Sequence, residues 1–201
     1  MNDNCKIKKI DFIEELYTKD ICSVAIYIAK LGNIKFLFVE FEKGNDIGTI
    51  GIKEAEKIIK GFDYATKNKY PIITYVLSGG IRVQEGFKAV VQIINVISAI
   101  NKHNEQGLLY ISVVRKPTFG VTSIGIVALA DIIVFEDDAI FGFAGRKIIE
   151  NTYKENIKEI RTSKFWDECG FADIVTNKKN LANILEQILT IHGYNNEKQK
   201  L

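Results

Sequence analysis

The sequence predicts an α/β fold built on a mostly parallel sheet, and three observations lead to it. Short, continuously apolar runs at residues 72–77 and 108–114 are typical of strands that are covered on both faces. Longer stretches with helical spacing of apolar residues, at 52–67 and 83–103, follow or separate these strands. Glycine-containing turns join strand to helix, and ligands in such folds bind beyond the carboxyl ends of the strands. Candidate site residues are therefore expected in these turns.

The remaining elements follow from the same patterns. Near the start, an amphipathic helix is predicted at 12–17, and strands 22–29 and 34–41 form a hairpin around Gly32-Asn33. A loop is predicted at 42–51. The predicted downstream elements are a loop at 117–120, helices at 121–130, 146–153, 162–168 and 178–191, and strands at 132–135, 139–141 and 173–175.

Composition narrows the class of protein. The 201 residues are most simply one domain, and 27 basic against 25 acidic residues leave no charge excess that favours nucleic acid or an anionic membrane. The N-terminus is polar, and no uncharged apolar stretch is long enough to cross a membrane. Three scattered cysteines without a Cys-x-x-Cys pair argue against a disulfide framework or a zinc ribbon. We therefore expect a cytoplasmic protein.

Histidine chemistry is not favoured. His103 and His192 are the only histidines, and each lies late in a helical pattern, where a surface or C-terminal-turn role is the preferred interpretation over catalysis. The sequence shows no Cys–His or paired-carboxylate arrangement suited to acid–base work either. A side-chain acid or base is therefore not evident from the sequence.

The turn at Ser78-Gly79-Gly80 is the most informative part of the chain. It ends an apolar strand and precedes a helical pattern. Glycines let backbone N–H groups approach a ligand without a Cβ in the way, and unpaired N–H groups there suit an oxygen that carries negative charge. The alternative is that the two glycines only form a tight turn. A second glycine turn at 118–123 lies one strand–helix unit further on, so the two are expected to face one pocket.

Five motifs in order point to a known family. They are SGGIRVQEG at 78–86; GTIG at 48–51 with Glu56-Lys57; PTFG at 117–120 leading to Asp131; GFAG at 142–145 with IENT at 149–152; and SKF at 163–165 with Gly170 and Asp173. From residue 36 to 191 the chain resembles the carboxyltransferase β subunit of bacterial acetyl-CoA carboxylase, in the crotonase superfamily. This resemblance implies a crotonase-like ββα spiral fold.

The resemblance also defines segments and departures. Residues 1–35 match poorly and contain no counterpart of the four-cysteine zinc ribbon with which the family usually begins. Residues 36–193 are expected to form the carboxyltransferase domain, and 194–201 a polar tail. Ile81 stands where the family usually has alanine, and Val121 where it usually has a second glycine.

The activity implied by the resemblance is transfer of a carboxyl group from carboxybiotin to acetyl-CoA, giving malonyl-CoA. Biotin is carried on a separate protein, and no metal is expected. Two enolate-like oxygens develop, and each needs positioned N–H donors. We expect the backbone of Gly79, Gly80 and Ile81 to form one oxyanion site; the next candidates are Gly120, Val121 and Thr122. The expected substrate-binding residues are Gly48, Thr49, Gly51, Arg82, Gly142, Phe143, Ala144 and Gly145.

Several of these residues have a plainer interpretation. For Arg82 and Glu85 a helix-start charge pair or an interface contact is favoured over direct chemistry, and for residues 142–145 a close-packing turn is favoured over a ligand site. Arg115, Lys116 and Arg146 are candidates for contacts with CoA phosphates, or simply solvated charges.

The resemblance implies partners as well. They are an α-like carboxyltransferase subunit in an α2β2 assembly, the biotin carboxyl carrier protein and a CoA thioester. The apolar helix at 83–100 is a candidate for the subunit interface. The alternatives are a malonyl-thioester decarboxylase subunit, a pathway-specific carboxyltransferase, or a non-catalytic scaffold subunit.

Overall fold

One sheet organises the chain in the computed structural model, which describes residues 7, 9–20, 22–42, 48–144 and 161–194. The strands are β1 (Ile10–Leu16), β2 (Val24–Leu31), β3 (Ile34–Phe41), β4 (Ile72–Ser78), β5 (Tyr110–Phe119), β6 (Ile132–Glu136), β7 (Phe141–Gly142) and β8 (Ile174–Thr176). The helices are α1 (Ile52–Asn68), α2 (Phe87–Glu105), α3 (Val121–Gly125), α4 (Ser163–Glu168) and α5 (Leu181–Ile191).

The strand order is β1-β2-β3-β4-β5-β6-β8, and β7 pairs with the end of β5. The strands from β3 onward run parallel, whereas β1, β2 and β3 are joined as antiparallel hairpins. The predicted α/β class with a mostly parallel sheet is confirmed. Parallel neighbours end at the same edge, so the turns after β4 and β5 lie side by side.

Two apolar cores lie on the two faces of this sheet. Helices α1 and α2 cover one face, where Ile58 and Phe62 pack with Ile93 and Tyr110 of the neighbouring elements. Helix α5 covers the other face through Leu181, Leu185 and Leu189. Strand β4 is buried along its whole length, as its unbroken apolar run predicts.

The prediction of a helix at 12–17 was wrong, because this segment is strand β1. Ile10 pairs with Leu31 of β2, and the register shifts between Phe12 and Glu14. Phe12 packs its ring against those of Tyr27 and Phe38, at centroid distances of 5.0 and 5.5 Å. The edge of β2 has backbone groups that need hydrogen-bond partners. Pairing with them stabilises the strand more than the weak helical pattern of this short segment stabilises a helix.

Other boundaries differ for local reasons. The helix predicted from residue 83 starts as a 3₁₀ turn at Val83–Glu85, and α2 begins only after Gly86, whose φ is +65°. The loop predicted at 117–120 is the end of β5, because Thr118 pairs with both Ser78 and Phe141. The helix predicted at 121–130 is split into α3 and a 3₁₀ turn at Val127–Leu129. The predicted helix 146–153 and the tail after residue 194 lie outside the described residues.

His103 is fully buried, not on the surface, although it does lie in the last turn of α2. Its Nδ1 is 3.0 Å from the hydroxyl of Thr66, whose single proton is donated to the carbonyl of Phe62. Burial lowers the pKa of His103 to about 4. His192, by contrast, is exposed at the end of α5, as predicted for a C-terminal-turn residue.

We predict that His103 makes the fold sensitive to acid. Because the folded pKa is depressed, the unfolded chain binds the extra proton first, and stability falls as pH decreases from about 6.5 to about 4, by about 3 kcal/mol in total. Urea unfolding of wild type and His103→Gln at pH 8, 6 and 4.5 tests this. The variant should lose less stability on acidification than wild type. Equal losses would show that His103 is not the responsible group.

Candidate active site

The turns after β4 and β5 meet backbone to backbone. A Cβ placed on Gly80 would lie 3.3 Å from the carbonyl oxygen of Phe119 and 3.5 Å from Cα of Gly120. A Cβ on Gly120 would lie 3.3 Å from Cα of Gly80. Both glycines have positive φ, +100° and +71° respectively. The expectation that the two glycine turns lie together is confirmed, and only glycine permits this approach without strain.

Two buried hydroxyl groups join the same turns. The oxygens of Ser78 and Thr122 are 2.8 Å apart, and both side chains are fully buried. The N–H of Gly80 donates to the Ser78 hydroxyl at 3.1 Å. Gly80 therefore contributes close backbone packing while its own N–H is held by Ser78. The amides of its neighbours are the better candidates for donors to a ligand.

Backbone N–H groups at the junction are available in this sense, those of Ile81 and Val121 among them. Among the described residues, none accepts a hydrogen bond from the backbone N–H of Ile81 or Val121. Ile81 follows Gly80, and Val121 opens α3 directly after Gly120. The side chains of both residues are half-buried and pack against the core.

A third segment, β7 and the residues after it, closes against this junction. The carbonyl of Gly142 accepts hydrogen bonds from the N–H of Gly120 at 3.3 Å and from the Ser123 hydroxyl at 2.9 Å. Phe143 is 66% exposed and Ala144 partly exposed. The contacts of Gly142 agree with the alternative interpretation of residues 142–145 as a close-packing turn. Gly145 and Arg146 lie outside the described residues.

Residues 48–51 flank the turn after β4. Gly48 has φ +65° and lies so close to the backbone carbonyl of Leu77 that no side chain fits. Ile50 forms a parallel bridge with Ile81: its N–H donates to Gly80 O, and its carbonyl accepts from Arg82 N–H, both at 2.8 Å. Gly51 is buried beneath Arg82, because a Cβ there would lie 2.6 Å from Nη1. These glycines act in packing the loop onto β4.

Arg82 is held by the protein itself. Its guanidinium donates to both carboxylate oxygens of Glu54, at 2.9 and 3.0 Å, and to Glu85 at 2.9 Å. It also donates to the carbonyl of Thr49 at 3.1 Å. The charge pair that was the alternative for Arg82 and Glu85 is thus present, with Glu54 as a further partner. We define Glu54, Arg82 and Glu85 as the carboxylate–arginine network.

Glu54 is 3% exposed, yet it stays ionised at neutral pH. Burial by itself raises the pKa of Glu54, but hydrogen bonds from Arg82 and from the N–H of Gly51 outweigh burial and leave the pKa below its ordinary value. The Glu54–Arg82 pair is therefore intact above the ordinary pKa of glutamate and weakens only as pH falls below about 4.5.

Arg115 is also used internally. It donates to the carbonyls of Phe41 and Tyr75, and its guanidinium carbon lies 3.9 Å from the centroid of the Tyr75 ring. The hydroxyl of Tyr75 in turn donates to the buried Glu136 at 2.6 Å. Burial raises the pKa of Glu136. Lys116 is exposed at the same strand.

Neither a metal site nor a membrane-spanning helix is found in the described part of the chain. Within the described ranges, no three His, Cys, Asp or Glu side chains converge as ligands for a metal ion. The helices in that part of the chain include none long and apolar enough to cross a membrane.

Comparison with known proteins assigns this site to a family. Residues 29–179 match the family described as carboxyl transferase domain. The chain belongs to this family. It is 39% identical over 150 residues to the acetyl-coenzyme A carboxylase carboxyl transferase subunit beta of Clostridium botulinum strain Eklund 17B, and 35% identical over 175 residues to that of Prochlorococcus marinus strain MIT 9215. These alignments cover 74% and 87% of the chain.

The chain spans about half the length of these curated relatives, 52% and 57% respectively. The resemblance drawn from the five motifs is confirmed by these matches. They also place the carboxyl transferase domain across all the turns described above, from β2 to the residues after β8.

Solved structures confirm the crotonase-like fold. The Pseudomonas malonate decarboxylase hetero-dimer superimposes with a TM-score of 0.78 at 18% identity, covering 90% of this chain and 80% of that chain. Transcarboxylase 12S with hydrolysed methylmalonyl-coenzyme A gives 0.77 at 17% identity, covering 90% and 38%. The geranyl-CoA carboxylase beta subunit of P. aeruginosa gives 0.77 at 17% identity, covering 92% and 36%. At such identities these likenesses show the fold alone.

Sequence reasoning missed two parts of the site. One is Glu54, the partner of Arg82. Its position three residues after Gly51 was a usable signal, because a carboxylate in the first turn of a helix accepts hydrogen bonds from backbone N–H groups. The hydroxyl of Ser78 had no such signal, because its partner Thr122 lies in another strand–helix unit.

We predict that the hydroxyl pair couples the two turns energetically. Ser78→Ala leaves the Gly80 N–H and the Thr122 hydroxyl without their partner, which costs about 1–3 kcal/mol. Thr122→Val removes the other member at similar volume. Urea unfolding of both single variants and the double variant should give a coupling energy of about 1 kcal/mol. Strictly additive losses would mean that the pair contributes nothing as a pair.

Proposed function

We propose that this carboxyl transferase domain acts as a β-type subunit that transfers a carboxyl group from carboxybiotin to acetyl-CoA, giving malonyl-CoA. The family match and the curated relatives, which are named as acetyl-coenzyme A carboxylase subunits, support this activity. Since the chain spans about half of those relatives, the activity of the assembled enzyme is part of the proposal.

The observation that carries the proposal is the junction of Gly80 and Gly120. Two glycine backbones in contact bring the N–H groups of Ile81 and Val121 to the carboxyl ends of adjacent parallel strands. Carboxyl transfer develops negative charge on the thioester oxygen and on the ureido oxygen, and fixed N–H donors stabilise such oxygens without reorganising. Backbone donors on two separate turns suit a reaction with two oxyanions.

Each turn then has a distinct role in the proposal. Ile81 N–H, with Gly79 beside it at the exposed end of β4, binds one oxyanion. Val121 N–H, with Thr122 behind it, binds the other. Gly80 and Gly120 allow the approach, and the Ser78–Thr122 pair holds the turns together. Biotin supplies the carboxyl group and the proton acceptor when its carrier protein presents it; the chain contributes orientation and hydrogen bonds.

The decisive experiment uses this chain purified with a co-expressed α-type carboxyltransferase subunit. We expect transfer of the carboxyl group between malonyl-CoA and acetyl-CoA only when biotin is added. Release of CO₂ from malonyl-CoA without biotin would instead identify a decarboxylase subunit. An assembled complex with neither activity would identify a scaffold subunit.

We predict that Gly80→Ala lowers kcat by about 10²-fold or more, because a Cβ at φ +100° displaces the Phe119–Gly120 backbone and with it the donors. The measurement is the biotin-dependent exchange in the complex. Gly107→Ala is the matched control, since Gly107 also has a positive φ of +67° but has no atom within 4 Å of the added Cβ. Equal activity of the two variants would remove the Gly80–Gly120 junction from the mechanism.

The proposed partner surface lies beside the junction. Its exposed apolar side chains, which we term the α2 patch, are Val83, Phe87, Val90, Val91, Ile94, Ile124 and Phe143. Phe87 and Ile94 are 78% and 61% exposed, whereas Ile93 and Val96 on the opposite side of α2 are buried in the core. Large exposed apolar side chains in such number are typical of a subunit interface. We propose that an α-type subunit covers it and supplies the rest of the active site.

We predict that Phe87→Ser combined with Ile94→Ser prevents assembly while leaving the fold intact. Size-exclusion chromatography with light scattering after co-expression measures assembly, and circular dichroism measures folding. Ile191→Ser is the control, because Ile191 is 81% exposed on α5, which covers the other face of the sheet. Normal assembly of the α2 variant would place the interface elsewhere.

A further inference from the structure

We propose that the carboxylate–arginine network of Glu54, Arg82 and Glu85 is a positioning device for the Ile81 N–H. The three residues do not contact the reacting groups in this proposal; they act through the backbone of Ile81. The inference rests on the proposed oxyanion role of that N–H. It assigns to Arg82 a place in the reaction that differs from direct substrate binding.

The peptide between Gly80 and Ile81 has its direction set by Ile50. In a trans peptide the carbonyl and the N–H point in opposite directions. The Gly80 carbonyl accepts the N–H of Ile50 at 2.8 Å, so the Ile81 N–H points away from residue 50. The N–H of Arg82 donates back to the carbonyl of Ile50, also at 2.8 Å, which holds Ile81 between two fixed hydrogen bonds.

The position of Ile50 depends in turn on the network. Arg82 Nη2 donates to the carbonyl of Thr49 at 3.1 Å, on one side of Ile50. On the other side, the N–H of Gly51 donates to Glu54 at 3.0 Å and that of Ile52 to Glu85 at 2.7 Å. The backbone of residues 49–52 is thus fixed at three points by the charged groups. Arg82 therefore contacts this segment twice: its side chain donates to Thr49, and its backbone N–H donates to the carbonyl of Ile50.

The network is suited to orientation because it is rigid. The Arg82–Glu54 pair is bidentate, and Glu54 also accepts from the hydroxyl of Ser23 at 3.3 Å. The side chains of Glu54, Arg82 and Glu85 are 3%, 17% and 27% exposed, so solvent competes little for the inner pair. A planar guanidinium with several fixed acceptors holds backbone in one orientation better than a single-point ammonium does.

A misdirected donor has a specific kinetic consequence. The Ile81 N–H stabilises charge that is present in the transition state and not in the bound thioester, so its loss lowers kcat and leaves KM for the CoA thioester nearly unchanged. We expect Arg82→Gln to lower kcat by about 10–100-fold with KM within about twofold. Arg82→Lys keeps the charge without the bidentate geometry, and we expect it to recover part of the loss.

The experiment is steady-state exchange between malonyl-CoA and acetyl-CoA by the complex with the α-type subunit. Glu85→Gln, at the more exposed carboxylate, is a milder second variant that removes charge at nearly constant size. Lys60→Gln is the matched control, because it removes an ion pair with Asp20 from the same helix α1 at a solvent-exposed position. The control should keep wild-type kcat and KM. The proposal is supported if kcat is lowest in Arg82→Gln, intermediate in Arg82→Lys and highest in wild type.

Two outcomes separate this inference from the proposed function. Replacing the Ile81 amide by an ester removes the N–H itself. If the ester variant keeps full kcat, the oxyanion role of Ile81 is wrong. If the ester lowers kcat but Arg82→Gln and Glu85→Gln do not, the oxyanion role stands and the positioning role is wrong. A rise in KM with unchanged kcat in Arg82→Gln also overturns it, because Arg82 would then contact substrate.

Discussion

The contact between Gly80 and Gly120 is the constraint on which the site depends. Each glycine occupies a positive φ, and a Cβ on either one would lie only 3.3 Å from backbone atoms of the opposite turn. The parallel pairing of β4 with β5 brings them together, because both strands end at the same edge of the sheet. Hydroxyl groups and charged side chains then hold the two turns, while the helices behind them supply the core.

Two different kinds of interaction maintain this junction. Beneath it, Ser78 and Thr122 form a fully buried pair of hydroxyl groups whose desolvation is offset by their mutual hydrogen bond and by the bond from the Gly80 N–H. Beside it, the carboxylate–arginine network joins α1 to the turn after β4. The first ties strand end to strand end, and the second fixes the backbone that flanks Ile81. The proposed function therefore rests on backbone geometry that side chains maintain.

The exposed face of α2 connects the site with assembly. The helix buries one side against the sheet and α1, and its other side carries Phe87, Val90, Val91 and Ile94 of the α2 patch. An apolar surface that begins at Val83, immediately after Arg82, links the proposed interface directly to the network. In this arrangement, a subunit that covers the α2 patch also lies against the turn that carries the proposed donors.

The sequence by itself determined the α/β class, the buried strands β4 and β5, the two glycine turns and the family, since continuous apolar runs and ordered motifs are local features of the chain. It did not determine that β1 is a strand, that Gly86 delays α2, or that Glu54 binds Arg82. These depend on an open sheet edge, a backbone angle and a partner 28 residues away. Tertiary structure also decided which N–H groups are available, because the Ser78 hydroxyl takes that of Gly80 and leaves that of Ile81. Hydrogen bonds between distant segments carry no periodic signature, so only the folded chain reveals them.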